Sequence, residues 1–176
     1  MDANTFQKLS ARTMNTDTIF DVNHAFCSWS MGLVGEVGEL LSALDDDDGD
    51  PEKEMGDVLW YAAAFCTQMQ RPFCDVVESE LIDSNRDRNR ALRASRNPLA
   101  FAVSMLDHWK KIFCHGHTLD VDAEMVNLQI ICRMCVAQCR DGKFFDVAQI
   151  MQANVDKLRK RYPDGFTQEA SANREA

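Results

Sequence analysis

Residues that interrupt helices are scarce, with 8 glycines and 4 prolines in 176 residues. The series of short, evenly spaced apolar runs that marks a sandwich or barrel is missing too, which leaves an all-β architecture without support. Positive charge is in deficit, 19 Lys and Arg against 28 Asp and Glu, a formal net charge of −9. Nucleic-acid backbones are held by basic surfaces that release counterions, so no nucleic acid is expected as the principal partner; a small anion bridged by a cation remains open. No apolar run is long enough to cross a bilayer, and the opening MDANTFQKL has no apolar signal core, so no membrane partner is expected. The seven cysteines are an odd number, which fits reduced thiols and a cytoplasmic location better than a disulfide framework.

What is present is helical material. Hydrophobic residues make up 45% of the chain, enough for one substantial core, and Ala, Leu, Met, Glu, Gln and Arg fill long segments. The expectation is an all-α fold in one domain, residues 1–176. Apolar spacing predicts two helices between Thr5 and about Ser42, with an N-cap for the second in Asn15-Thr16-Asp17-Thr18. Asp45 to Asp50 reads as a loop, with Pro51 in the first turn of a helix to about Gln70. Further helices are expected over Phe73 to about Ser95, Leu99 to Phe113, Asp122 to Cys139 and Phe145 to Arg161, with an extended tail from Pro163.

The two halves resemble each other. Phe73-Cys74-Asp75-Val76-Val77 matches Phe144-Phe145-Asp146-Val147-Ala148, and Glu54-Met55-Gly56-Asp57 matches Glu124-Met125-Val126-Asn127, at offsets differing by one residue. Continuing the register sets Glu39 near Asp107. This predicts two degenerate tandem helical repeats, about 1–90 and 91–166, followed by a tail, 167–176.

The chemistry lies in four carboxylates. Glu36 and Glu39 are three apart on one apolar helix, Glu54 and Asp57 three apart on the next, so each helix offers a pair from one face. The short loop between them favours an antiparallel hairpin that brings both pairs to one groove. Such crowding raises carboxylate pKa values unless a cation compensates, and a hard oxygen-preferring ion, magnesium with manganese as substitute, suits a set without histidine or thiolate. The bland alternative is four solvated charges. Against it stand Gly35, Gly38 and Gly56, each costly inside a helix, which would admit close helix approach.

These residues are recognisable. Gly32-Leu33-Val34-Gly35-Glu36-Val37-Gly38-Glu39-Leu40 and Glu54-Met55-Gly56-Asp57-Val58-Leu59-Trp60-Tyr61 resemble the ExxE and ExxD motifs of MazG-like nucleoside-triphosphate pyrophosphohydrolases. Asn154 to Phe166 resembles the C-terminal signature of small members of that family. Lys110-Lys111 through Asp120 is similar to what those members carry between their acidic motifs, here displaced into the second half. Two departures stand out: Gly35 replaces an additional Glu of many relatives, and the second half offers only Asp107, Glu124 and Asn127, as a decayed copy would.

The resemblance implies a four-helix-bundle core, formed by a homodimer or by an intrachain pseudo-dimer. It implies hydrolysis of a nucleoside or deoxynucleoside triphosphate to the monophosphate and pyrophosphate, cleaning a nucleotide pool. The metal would be held by Glu36, Glu39, Glu54 and Asp57, with Glu36 or Glu39 as the base. Asn154, Lys157 and Arg161 would take the phosphates, and Tyr162, Trp60 and Tyr61 the nucleoside. Competing readings are a dUTP- or dCTP-directed pyrophosphatase of the same superfamily and a non-catalytic helical regulatory module with a vestigial metal site. Cys132, Cys135 and Cys139 follow a core stripe and lack a second ligand pair of zinc-finger spacing. The arginines from Arg86 to Arg96 read as a solvated helix face.

Overall fold

The computed structural model describes residues 1–15, 21–77, 97–139 and 146–172, all helical or loop, without a strand among them. The helices are α1 Ala3–Ala11, α2 Val22–Asp45, α3 Pro51–Gln68, α4 Cys74–Val77, α5 Pro98–His115, α6 Val121–Cys139, α7 Val147–Arg161 and α8 Gln168–Ala172. Their starts are written locally. Asp21 accepts from the His24 backbone N–H, and Asp50 from that of Lys53 ahead of Pro51. Asn97 caps α5 ahead of Pro98, and Asp146 caps α7, each satisfying amide donors that a helix start leaves free. Helix α5 ends at Gly116 in the left-handed region, φ 68°, where a Cβ would be strained.

Helices α2, α3, α5 and α6 form the central bundle, α2 lying along both α3 and α5; α1 and α7 cover the other side of α3. The centre is aromatic: Phe26 of α2 stacks on Trp109 of α5 with ring centroids 4.0 Å apart and planes 7° from parallel, and Phe65 of α3 adjoins both. The two halves of the chain therefore share one core. Cys66, Cys132 and Cys135 are buried in it, and burial pushes the Cys132 thiol up to about 12, so it packs as a small apolar group.

Several expectations need correction. The cap of α2 is Asp21, not the segment Asn15-Thr16-Asp17-Thr18, of which residues 16–18 lie outside the described residues. The tail from Pro163 is not extended throughout, because α8 forms after Thr167, whose hydroxyl accepts from the Ala170 amide. Cys114 and His115 belong to α5, with Gly116 as the loop's true start. Gly35 and Gly38 do not serve close helix approach, since a Cβ at either would meet nothing within 4 Å. The close approaches are at Gly32, where a Cβ would fall 2.2 Å from the Tyr61 ring, and at Gly56, 3.0 Å from Asn154 Cβ. Most of the proposed Phe73–Ser95 helix, the Arg86–Arg96 cluster and Phe144-Phe145 lie outside the described residues.

Candidate metal centre and groove

The α2–α3 hairpin carries Glu36 and Glu39 on one arm and Glu54 and Asp57 on the other. Glu36, Glu54 and Asp57 each present an oxygen within 4.8 Å of the others, a spacing that one cation can bridge. Glu39 is exposed and lines the adjoining groove outside that group. All three clustered residues are half-buried. Burial and the neighbouring Asp57, Glu39 and Glu54 charges push the Glu36 carboxyl up to about 7, against a smaller opposing pull from Lys157. A hard divalent ion fits this donor set, because its charge would offset the burial and the mutual repulsion that raise the Glu36 carboxyl.

Helix α7 completes the centre. Lys157 Nζ donates to both Asp57 oxygens at 2.5 and 2.6 Å, and Asn154 Nδ2 donates to Asp57 Oδ1 at 2.7 Å. Asn154 and Lys157 are three apart and so leave α7 on one face. Gly56 makes their approach feasible, as its missing side chain is the space taken by Asn154. Lys53 Nζ donates to Glu54 at 2.9 Å.

A pH dependence follows from Glu36. Its folded value of about 7 lies above the ordinary 4.5, so between those values the folded protein binds a proton that the unfolded chain releases. Without divalent ions, stability from this group is fully present below pH 4.5, falls as pH rises, and is gone above about 7. Melting temperatures in chelator from pH 4 to 8 should show this decline in the wild type and a shallower one in Glu36→Gln.

The groove beside the centre measures about 430 Å³ and is lined by Glu36, Glu39, Glu54, Asp57, Lys157 and Arg161 on its polar side, a volume within the range of small-ligand pockets. Trp60, Tyr61 and Tyr162 line it as well. Trp60 is fixed by donating its indole N–H to Thr13 Oγ1 at 2.9 Å. The Arg161 guanidinium lies over the Tyr162 ring, 5.4 Å from its centroid, a cation–π contact that steadies both. Asn154 is placed differently: it is buried, and it lines a neighbouring cavity of about 550 Å³ with Gly56 and Lys53.

Sequence reasoning missed Thr13, Trp29, Lys53, Phe166 and Ser171 as lining residues. Trp29 lies seven before Glu36, two turns along the same face, and Phe166 closes the C-terminal block, so both had a signal. Thr13 and Ser171 arrive through tertiary packing and had none.

In the second half, Asp107 and Glu124 have other partners. Asp107 is paired with Lys110 at 2.6 Å and Lys111 at 2.7 Å, and these contacts hold its carboxyl down to about 2. Glu124 is fully buried against His108. Burial raises its carboxyl, while His108, Trp109 and Asn127 pull in the other direction. Among the described residues, Glu36, Glu54 and Asp57 form the acidic group able to hold a metal ion.

The all-helical bundle thus sets a carboxylate cluster able to hold a metal ion in a groove that Lys157 and Arg161 also line. Residues 26–82 match the model of the MazG nucleotide pyrophosphohydrolase domain, which points to nucleotide pyrophosphohydrolase activity in general terms. Both acidic motifs fall inside that span, as the MazG-like resemblance requires. No curated protein and no solved structure matches the chain.

Proposed function

We propose that the protein is a magnesium-dependent nucleoside-triphosphate pyrophosphohydrolase acting at the bond between the α and β phosphates. The observation that carries this reading is the convergence of Glu36, Glu54 and Asp57 within 4.8 Å inside the matched MazG segment. Glu36, Glu54 and Asp57 would hold the ion, manganese serving as substitute. When bound, the ion supplies charge neutralisation at phosphate oxygens and acidification of a water. Lys157 and Arg161, on the opposite wall, bind the phosphates. Of the two candidate bases, Glu39 lines the groove outside the three-carboxylate group, and so keeps its oxygens for the proton of the attacking water. Trp60 and Tyr61 offer flat faces to the nucleoside, whereas Tyr162 is buried against Arg161 and Phe166 and supports that wall instead. Asn154, directed at Asp57, orients that carboxylate rather than a phosphate.

We keep the tandem reading as part of this proposal, α5 and α6 taking the place of a partner subunit's hairpin. The α5–α6 packing against α2 and α3 supports it.

The test is a panel of ribo- and deoxynucleoside triphosphates with magnesium, scored for pyrophosphate release before and after chelation. The best substrate is then taken to Arg161→Ala, where loss of one charge-assisted contact should lower kcat/KM by about 1.5–3 kcal/mol in transition-state terms. Pyrophosphate release from none of the nucleotides would leave the non-catalytic module as the better reading.

A further inference from the structure

Lys157 holds both oxygens of Asp57, at 2.5 and 2.6 Å, and Asp57 is one of the three carboxylates whose oxygens converge. With an ammonium across both oxygens and an amide on one of them, three of the carboxylate's roughly four lone-pair sites are taken, and a metal ion at the remaining one would lie beside the like charge of the ammonium. The two neighbours differ in freedom. Asn154 is buried and wedged into the space above Gly56, with its amide orientation fixed because a carboxylate accepts only from nitrogen. Lys157 is about one-third exposed and also lines the groove, on a stem with four rotatable bonds. One contact is built in and the other is exchangeable.

We propose that Lys157 is a placeholder cation: it and the divalent ion compete for Asp57, and the ion's arrival releases the ammonium into the groove, where it meets phosphate. Asn154 is the positioning residue that keeps Asp57 aimed in both states. The exchange couples two binding events. Without the ion, Lys157 is occupied and the phosphate side of the groove lacks one cation; with it, the ammonium is available, so metal binding precedes and strengthens phosphate binding. This inference rests on Asp57 being a metal ligand, and the experiment separates the two claims.

The measurement is calorimetric titration of manganese, then magnesium, into the intact wild type, Lys157→Met, Arg161→Met and Asp57→Asn, with melting temperatures recorded with and without metal. Lys157→Met is expected to bind the ion about tenfold more tightly, equivalent to about 1.4 kcal/mol. Arg161→Met removes an equal charge from the same groove wall, where the guanidinium lies over the Tyr162 ring, and should change affinity less than about threefold. In chelator Lys157→Met should melt below the wild type, and its metal-induced rise should be the larger. Equal manganese affinity in wild type and Lys157→Met, or an equal gain in Arg161→Met, overturns the placeholder while leaving the metal site intact. Unchanged binding in Asp57→Asn, or no binding in any of the proteins, instead removes the site assignment on which it rests.

Discussion

Asp57→Asn is expected to lower metal-dependent turnover by more than about 100-fold, beyond the loss usual for residues one shell removed from a metal. The amide preserves the shape of a side chain held by Asn154 and Lys157, but withdraws a charge from the three-carboxylate group. The fold should survive, because the change opens no cavity and relieves repulsion on Glu36, for which Asp57 is the largest neighbouring charge. Glu54→Gln should behave alike. Glu124→Gln should leave kcat/KM much less altered and act on stability instead, since Glu124 is buried against His108 away from the groove. Steady-state kinetics and melting curves on the three variants check this; equal kinetic losses in Glu54→Gln and Glu124→Gln would reveal a second working site.

Trp109→Ala is expected to cost about 3–5 kcal/mol of unfolding free energy, the range for deleting a fully buried aromatic side chain. The residue is wholly buried, stacks on Phe26 and adjoins Phe65, so its loss opens a void where α2, α3 and α5 meet. Domains of this kind are stable by only about 5–15 kcal/mol in total, and the variant should be partly unfolded on warming. Urea denaturation gives the answer. A loss under about 1 kcal/mol would mean that the bundle's halves do not depend on this contact.

Helix order was legible because capping residues and prolines sit at nearly every start: Asp50-Pro51, Asn97-Pro98 and Asp146 are each followed by a helix. The acidic hairpin was legible for a similar reason, as spacing of three puts Glu54 and Asp57 on one face whatever the surroundings. Direction in space was not. Gly35, Gly38 and Gly56 are alike as letters, yet only Gly56 faces another helix, because the docking line of α7 is set by contacts a hundred residues apart. The same docking turns Asn154 toward Asp57 instead of the groove. Glu39 shares its spacing with Glu36 but lies on the groove wall outside the cluster, a distinction fixed by helix rotation rather than by sequence interval. The short helix α8 was missed because Gln168–Ala172 is too brief for periodicity to register.

Hydrolysis in water enriched in oxygen-18, followed by mass analysis of both products, tests the central claim most directly. Attack at the α phosphorus predicts pyrophosphate without label and a nucleoside monophosphate carrying one labelled oxygen, formed with magnesium, halted by chelation and absent with Asp57→Asn. Label in orthophosphate, or in the pyrophosphate while the monophosphate stays unlabelled, would contradict it.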